Sequence, residues 1–141
     1  MKKLALFALS MLIAACGSTN GAARPENVAQ PTIELRADRA IFFGGANSAP
    51  AQIDLIVTNN AETVLQLVEA EISSPGMLEY NIIPIRRTFN EELAPGETRR
   101  YQLMATAVRQ IDLAPNESLS LRAVVTFGSG NQQFREIVNK R

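Results

Sequence analysis

From Pro31 onward, the sequence is built of short runs in which apolar and polar residues alternate. A period of two places every second side chain on the same face of a strand, so that one face can be buried while the other is solvated. Ile53, Leu55 and Val57 form one such set, and the runs 101–107 and 119–127 form two more. Helical spacing is not sustained for ten residues anywhere after the N-terminal segment. The alternation therefore predicts an all-β fold.

Turn-forming residues separate these runs, with glycine, proline and asparagine concentrated at 44–50, 59–62, 74–76 and 128–131. Proline presets one backbone angle and glycine accepts a positive φ, so these stretches favour chain reversal. About seven short strands with turns of this kind indicate a single β-sandwich. With one cysteine in the chain, no internal disulfide can form, and stability must come from burial and hydrogen bonding.

Two local irregularities refine the expectation. The apolar positions of the run 64–73 change phase between Leu67 and Val68, which a β-bulge near Leu67 would explain. Pro84 has no N–H group to give to a neighbouring strand, which places its segment at a sheet edge or at a bulge.

The N-terminus has the pattern of a secretory signal. Lys2 and Lys3 precede the uncharged stretch 4–15, which is shorter than the roughly 20 apolar residues that span a bilayer. The stretch ends in Ile13-Ala14-Ala15-Cys16, which resembles the lipobox of bacterial lipoproteins. The resemblance implies cleavage before Cys16, attachment of lipid to its thiol and acylation of its new amino group.

The residues after the cysteine extend this expectation. The absence of aspartate at position 17 implies, by the same resemblance, a lipid anchor in the outer membrane on its periplasmic face. Residues 17–30 are mostly small or polar, which predicts a flexible tether. The predicted organisation is thus a signal peptide at 1–15, a lipidated cysteine and tether at 16–30, and one domain at 31–141.

Several motifs give the domain a family resemblance. "VTNN" at 57–60, "LAPGET" at 93–98 before an alternating strand, and the terminal hairpin "AVVTFGSGNQQF" at 123–134 are similar to bacterial immunoglobulin-like domains of the CARDB and water-stress (WHy) types. The resemblance covers roughly residues 50–138. It implies an immunoglobulin-like β-sandwich.

Composition excludes several functions. Loss of Lys2 and Lys3 with the signal peptide leaves 12 basic side chains against 14 acidic ones, so a nucleic-acid role is disfavoured. The chain has no histidine, and its one thiol is assigned to lipid, so histidine-assisted nucleophiles are unavailable. A Ser–Lys pair would depend on Lys140 near the terminus. The carboxylate pairs Glu91/Glu92 and Glu69/Glu71 lie in runs that read as solvated loop or strand face, and we predict no catalysis and no cofactor.

The alternative function is that of a small-molecule or metal carrier. The Pro-Gly turn before a strand and the closing pair of strands also resemble small periplasmic copper chaperones of the PCuAC type. Their metal is held by histidine and methionine. The mature chain offers only Met77 and Met104, and soft ligands are what copper(I) selects. We interpret both methionines as core residues and predict no metal site. Among the candidate functions, a hydrolase ranks last.

The remaining feature is a group of arginines. Arg86-Arg87 and Arg99-Arg100 flank a stretch that contains three glutamates, and four guanidiniums would gather if the flanking strands paired. They could simply pair with the glutamates, since exposed ion pairs are common. Alternatively, Arg86, Arg87, Arg99 and Arg100 form a recognition patch for an anionic partner, with Phe89 as its apolar anchor. The predicted function is a non-enzymatic, membrane-anchored module that binds an envelope protein or assists envelope assembly.

Overall fold

A computed structural model describes residues 22–37, 41–75, 80–109 and 120–140 of the chain. The predicted signal peptide, Cys16 and Met77 lie outside these ranges. Within these ranges, eight β-strands follow one another: β1 (Thr32–Ala37), β2 (Ser48–Thr58), β3 (Leu65–Ser73), β4 (Tyr80–Ile82), β5 (Ile85–Leu93), β6 (Thr98–Arg109), β7 (Leu121–Ser129) and β8 (Gln132–Lys140). No helix among the described residues has the length and apolar character needed to cross a membrane.

The strands form two four-stranded sheets with the orders β1-β2-β6-β4 and β5-β3-β7-β8. Every pairing between these strands is antiparallel. Strands β1, β2 and β6 lie in the order of immunoglobulin strands A, B and E, and β3, β7 and β8 lie in the order of C, F and G. The prediction of an immunoglobulin-like sandwich is confirmed, with eight described strands where about seven were expected.

The core lies between the two sheets and is filled by the alternating positions. Ile53, Leu55 and Val57 of β2 are fully buried, as are Val125 and Phe127 of β7. The Phe127 ring stacks on the Phe134 ring of β8, with their centroids 5.5 Å apart. Because the apolar set of each strand meets that of the opposite sheet, burial of one face is the main source of stability.

The predicted bulge in β3 is confirmed. Leu67 pairs with Phe127 and Glu69 pairs with Thr126, so Val68 is an extra residue relative to β7. The extra residue lets Leu67 and Ala70 both point into the core. The phase change in the sequence therefore corresponds to a local change of register, and the strand keeps one buried face throughout.

Between β4 and β5 the chain changes sheets at Ile83 and Pro84. Strand β4 pairs with Ala107–Arg109 of β6, and β5 pairs with β3 in the other sheet. Both strands are outermost in their sheets, so the prediction that Pro84 lies at a sheet edge is confirmed. Because β4 is only three residues long, the part of β6 from Thr98 to Ala105 has no described strand on the side away from β2.

Residues 22–30, which the sequence analysis assigned to the tether, lie against the sandwich. The Val28 side chain is 4% exposed and belongs to the core cluster. Arg24 forms an ion pair of 3.0 Å with Glu136 of β8, and Ala22 makes a parallel bridge with Phe134. The packed domain therefore includes residues 22–30. One buried valine and one ion pair to the distant strand β8 hold this otherwise polar segment in place.

Candidate functional site

The five predicted partner-binding residues lie on two strands that do not pair. Arg86, Arg87 and Phe89 are on β5, whereas Arg99 and Arg100 are on β6 in the other sheet. Glu91 and Glu92 belong to β5, so the connection between the strands is short. The four guanidiniums were expected to gather only if these strands paired, and they do not pair. The two strands do, however, lie together along one side of the sandwich.

Arg86 has the simple role of balancing nearby charge. It lies opposite Glu71 in the register of β5 and β3. Its Nε is 3.1 Å from Glu69 Oε1, and its Nη2 is 3.7 Å from Glu71 Oε2. The Arg86 side chain is 63% exposed, so these pairs contribute little to stability.

Arg99 joins the two sheets through glutamates. Its Nε is 2.5 Å from Glu97, and its Nη1 is 3.0 Å from Glu91 on β5. The Tyr101 hydroxyl donates to the same Glu91 oxygen at 3.0 Å. Hydrogen bonding to Glu97 holds the pKa of the Arg99 guanidinium above its usual value. Burial, together with the bond to Glu91, raises the pKa of Tyr101. These four side chains therefore connect β5 with β6 along this side of the sandwich.

Phe89, the predicted anchor, is partly buried against the core. Its ring lies against the Tyr101 ring, with centroids 4.5 Å apart and planes tilted by 56°. The Arg87 guanidinium lies over the same ring, 5.1 Å from its centroid. Phe89 therefore supports the position of Arg87 as well as closing the gap between β5 and β6.

Arg87 differs from the other three arginines because the described residues provide it with no carboxylate partner. Its Nη1 donates a long hydrogen bond of 3.4 Å to the backbone carbonyl of Gln102. A shallow depression of about 430 Å³ is lined by Arg87, Arg100, Tyr101 and Gln102. We call this surface the arginine depression. Two of the four predicted arginines therefore share one surface.

Arg100 is held by a carboxylate on the face of β2 opposite the core. Asp54 of β2 points away from the core, yet the residue is 0% exposed. One of its oxygens, Oδ2, accepts a hydrogen bond from Arg100 Nη2, while Oδ1 is buried and has no hydrogen-bond partner among the described residues. A buried carboxylate without full hydrogen bonding is costly, and the signal in the sequence was limited to an acidic residue inside an apolar strand.

The comparisons with known proteins give structural similarity but no match in sequence. No known family profile matches the chain, and no curated protein matches its sequence. The fold is similar to the crystal structure of a FixG-related protein from Vibrio parahaemolyticus, with 19% identity and a TM-score of 0.41. The match covers 81% of this chain and 95% of that one. At this level the similarity supports no conclusion about function.

Some of the glutamates considered for catalysis are partners of arginines in the structure. Glu91 accepts hydrogen bonds from Arg99 and Tyr101, and Glu69 pairs with Arg86. Met104 is 64% exposed, so its interpretation as a core residue was wrong: it lies on the outward-facing set of β6. Within the described ranges, no group of three or more acidic, histidine or cysteine side chains is placed to hold a metal ion.

Proposed function

We propose that this protein is a non-enzymatic lipoprotein of the bacterial cell envelope that binds another envelope protein through the β5–β6 side of its sandwich. The observation that carries the proposal is the position of the arginine depression. It lies beside the part of β6 that has no described neighbour strand, so charged side chains and an unoccupied strand edge occur together. Interfaces are enriched in arginine and aromatic residues, and both line this surface.

The place where the chain leaves the domain supports this arrangement. Ala22 lies beside Phe134 of β8, which is at the edge of its sheet opposite β5. The segment from Cys16 to Ala22 can reach at most about 20 Å when fully extended. A lipid on Cys16 would therefore hold the domain close to the membrane by its β8 side and leave the β5–β6 side available to periplasmic partners.

The anchor itself is proposed from the lipobox residues and the small residues that follow. Gly17 and Ser18 after the cysteine favour the outer membrane, on its periplasmic face. Several acyl chains on one cysteine give firm attachment, because each buried methylene contributes about 0.8 kcal/mol. The proposed partner is a protein of the same compartment. A nucleic acid is disfavoured by the acidic balance of the mature chain.

The anchor is tested by Cys16→Ser. Lipid attachment needs the thiol, so we expect the variant to leave the detergent-extracted outer-membrane fraction and to appear as soluble or unprocessed protein. Cys16→Ala should behave in the same way. Recovery of the serine variant in the outer membrane would show that Cys16 is not the lipid anchor.

Partner binding is tested separately in intact envelopes. A photo-crosslinking amino acid at Gln102, beside the arginine depression, should give a discrete crosslinked species. The same group at Gln133, an exposed residue of β8, serves as the control and should not give that species. Absence of crosslinks from both positions and from other exposed strand positions would contradict a protein-binding function.

A further inference from the structure

We propose that β6, from Thr98 to Ala105, accepts an extended acidic segment of a partner protein as an additional β-strand. We call the side of these residues that faces away from β2 the open edge of β6. The inference rests on the proposed protein-binding function and specifies its surface and the chemistry of its partner. The added strand would extend the sheet β1-β2-β6 at the place that β4 leaves.

The open edge exists because β4 is short. In constant-type immunoglobulin domains, strand D runs beside strand E, and here β4 takes that position only along Ala107–Arg109. The Ile83 N–H still donates to the Thr106 carbonyl at 2.9 Å, and the chain then crosses to the other sheet. The rest of the strand D position contains no strand among the described residues.

The direction of the backbone groups of β6 follows from four hydrogen bonds. The Glu97 carbonyl and the Arg109 N–H bond to Asn59 and Asn47, on the side of β2. The carbonyls of Gln102 and Thr106 accept bonds from the opposite side. In an antiparallel sheet, successive residues alternate in the side toward which their N–H and C=O groups point. Arg100, Gln102 and Met104 therefore direct their backbone groups toward the open edge, in the spacing that a partner strand would match.

Arg87 gives the open edge its chemical preference. It pairs in register with Ala70 of β3, whose side chain is buried, so Arg87 is on the core-facing side of its edge strand, although its own side chain is exposed. Its hydrogen bond to the Gln102 carbonyl is long, at 3.4 Å. A strand placed on β6 would supply its own N–H to that carbonyl and release the guanidinium. A carboxylate on the incoming strand would then receive a charge-assisted hydrogen bond from Arg87.

The same groups disfavour the other occupants. Charged side chains at a strand edge discourage edge-to-edge association of identical chains, and Arg87 lies across the open edge of β6 at Gln102. Pairing of two copies through β6 would bring Arg87 and Arg100 of both copies close together. A basic segment would meet the same repulsion. Charge complementarity thus selects an acidic extended segment of another protein.

The test uses the full-length lipidated protein in detergent and three synthetic nine-residue peptides. Each peptide alternates threonine with a variable residue, which is glutamate, glutamine or lysine, so that β propensity is similar and charge differs. Binding is measured by fluorescence anisotropy, and amide hydrogen exchange identifies the protected groups. We expect the glutamate peptide to bind at least about fivefold more tightly than the glutamine peptide and to slow exchange of the Gln102 and Met104 amides.

Two variants separate this site from general charge attraction. Arg87→Gln should remove the preference for the glutamate peptide. Arg86→Gln, a matched change on the same strand whose arginine faces Glu69 and Glu71, should retain it. A glutamate peptide with N-methyl groups at alternate positions should lose binding, because it cannot complete the ladder with β6.

Three results would overturn the inference. The glutamate peptide could bind Arg87→Gln as well as the wild type, or it could protect amides elsewhere. A concentration-dependent dimer that protects Gln102 and Met104 without peptide would show that a second copy is the occupant. If envelope crosslinks persist from other positions while this peptide test fails, the protein-binding function stands and the strand-addition surface is wrong.

Discussion

The side-chain amide of Asn59 donates a hydrogen bond of 2.9 Å to the backbone carbonyl of Leu93, a residue 34 positions later in the chain. The same nitrogen lies 2.9 Å from the Thr63 carbonyl and 3.2 Å from the Ala94 carbonyl. The side-chain oxygen of Asn59 accepts a bond from the Ala61 N–H at 2.9 Å. Asn59 is completely buried and therefore fixes the turn after β2 to the turn after β5.

Backbone bonds reinforce this connection. The Asn59 N–H donates to the Glu97 carbonyl, and the Gly96 N–H donates to the Asn59 carbonyl, at 2.9 and 2.8 Å. Gly96 has a φ of 75°, which glycine accepts without strain at this position of a turn that begins Ala94-Pro95. The two motifs "VTNN" and "LAPGET" are thus parts of one hydrogen-bonded unit.

Asn59→Ala is expected to lower the free energy of unfolding by about 2–4 kcal/mol, because buried carbonyls and the Ala61 N–H lose their partner. Asn60→Ala is the control. The Asn60 side chain bonds to Gln30 and Thr32 at an exposed position, so its loss should cost under about 1 kcal/mol. Urea denaturation measures both. Equal effects would contradict the assignment of Asn59 as the residue that joins the turns.

Arg100→Gln is expected to destabilise the fold by about 1–3 kcal/mol, because it leaves the buried Asp54 carboxylate without its cation. The expected destabilisation is smaller than for a fully buried ion pair, because the Arg100 side chain is 54% exposed. The double variant with Asp54→Asn should recover part of the loss, and a double-mutant cycle measures this coupling. Arg86→Gln, at an exposed pair, should cost under about 1 kcal/mol. Strict additivity at Arg100 and Asp54 would show that the pair is not coupled.

Acidification is expected to reveal the role of Glu97. The Ala94 N–H donates to Glu97 Oε2 at 2.8 Å. This bond, followed by the bond from Arg99, lowers the pKa of Glu97 below its usual value of 4.5. The folded state then binds fewer protons than the unfolded state, so this stabilisation is present above pH 4.5 and is lost as the pH falls through the lowered pKa.

Glu97→Gln should therefore be less stable than the wild type at neutral pH, and the difference should shrink on acidification. Urea midpoints recorded between pH 7 and about pH 2 test this. Glu92→Gln is the control, since Glu92 is exposed on β5 and has no ion pair among the described residues. A pH dependence of Glu97→Gln identical to the wild type would contradict the prediction.

Val28→Ala is expected to destabilise the domain by about 1–2 kcal/mol, although the residue lies in a segment whose composition resembles a tether. Its side chain is 4% exposed, whereas Val64 is 49% exposed. Val64→Ala should change stability by less than about 0.5 kcal/mol. Thermal or urea unfolding of both variants measures the difference. An effect no larger than that of Val64→Ala would place residues 22–30 outside the cooperative unit.

Features that depend on near neighbours in the chain could be predicted from the sequence alone. Alternation along β2 and β6 placed Ile53, Leu55 and Tyr101 on buried faces, since side chains two apart share a face wherever the strand is placed. The phase change at Leu67 located the bulge, and Pro84 marked an edge, because both act through local backbone geometry.

Features that depend on which strands share a sheet could be read only from the folded protein. Arg86 and Arg87 are consecutive, yet the first pairs with glutamates on an outer face and the second reaches the backbone of β6. The burial of Asp54 and of Val28 also required neighbours that are distant in the chain. Local periodicity fixes the face of a strand but not its partner, because pairing is selected by the packing of the whole sandwich.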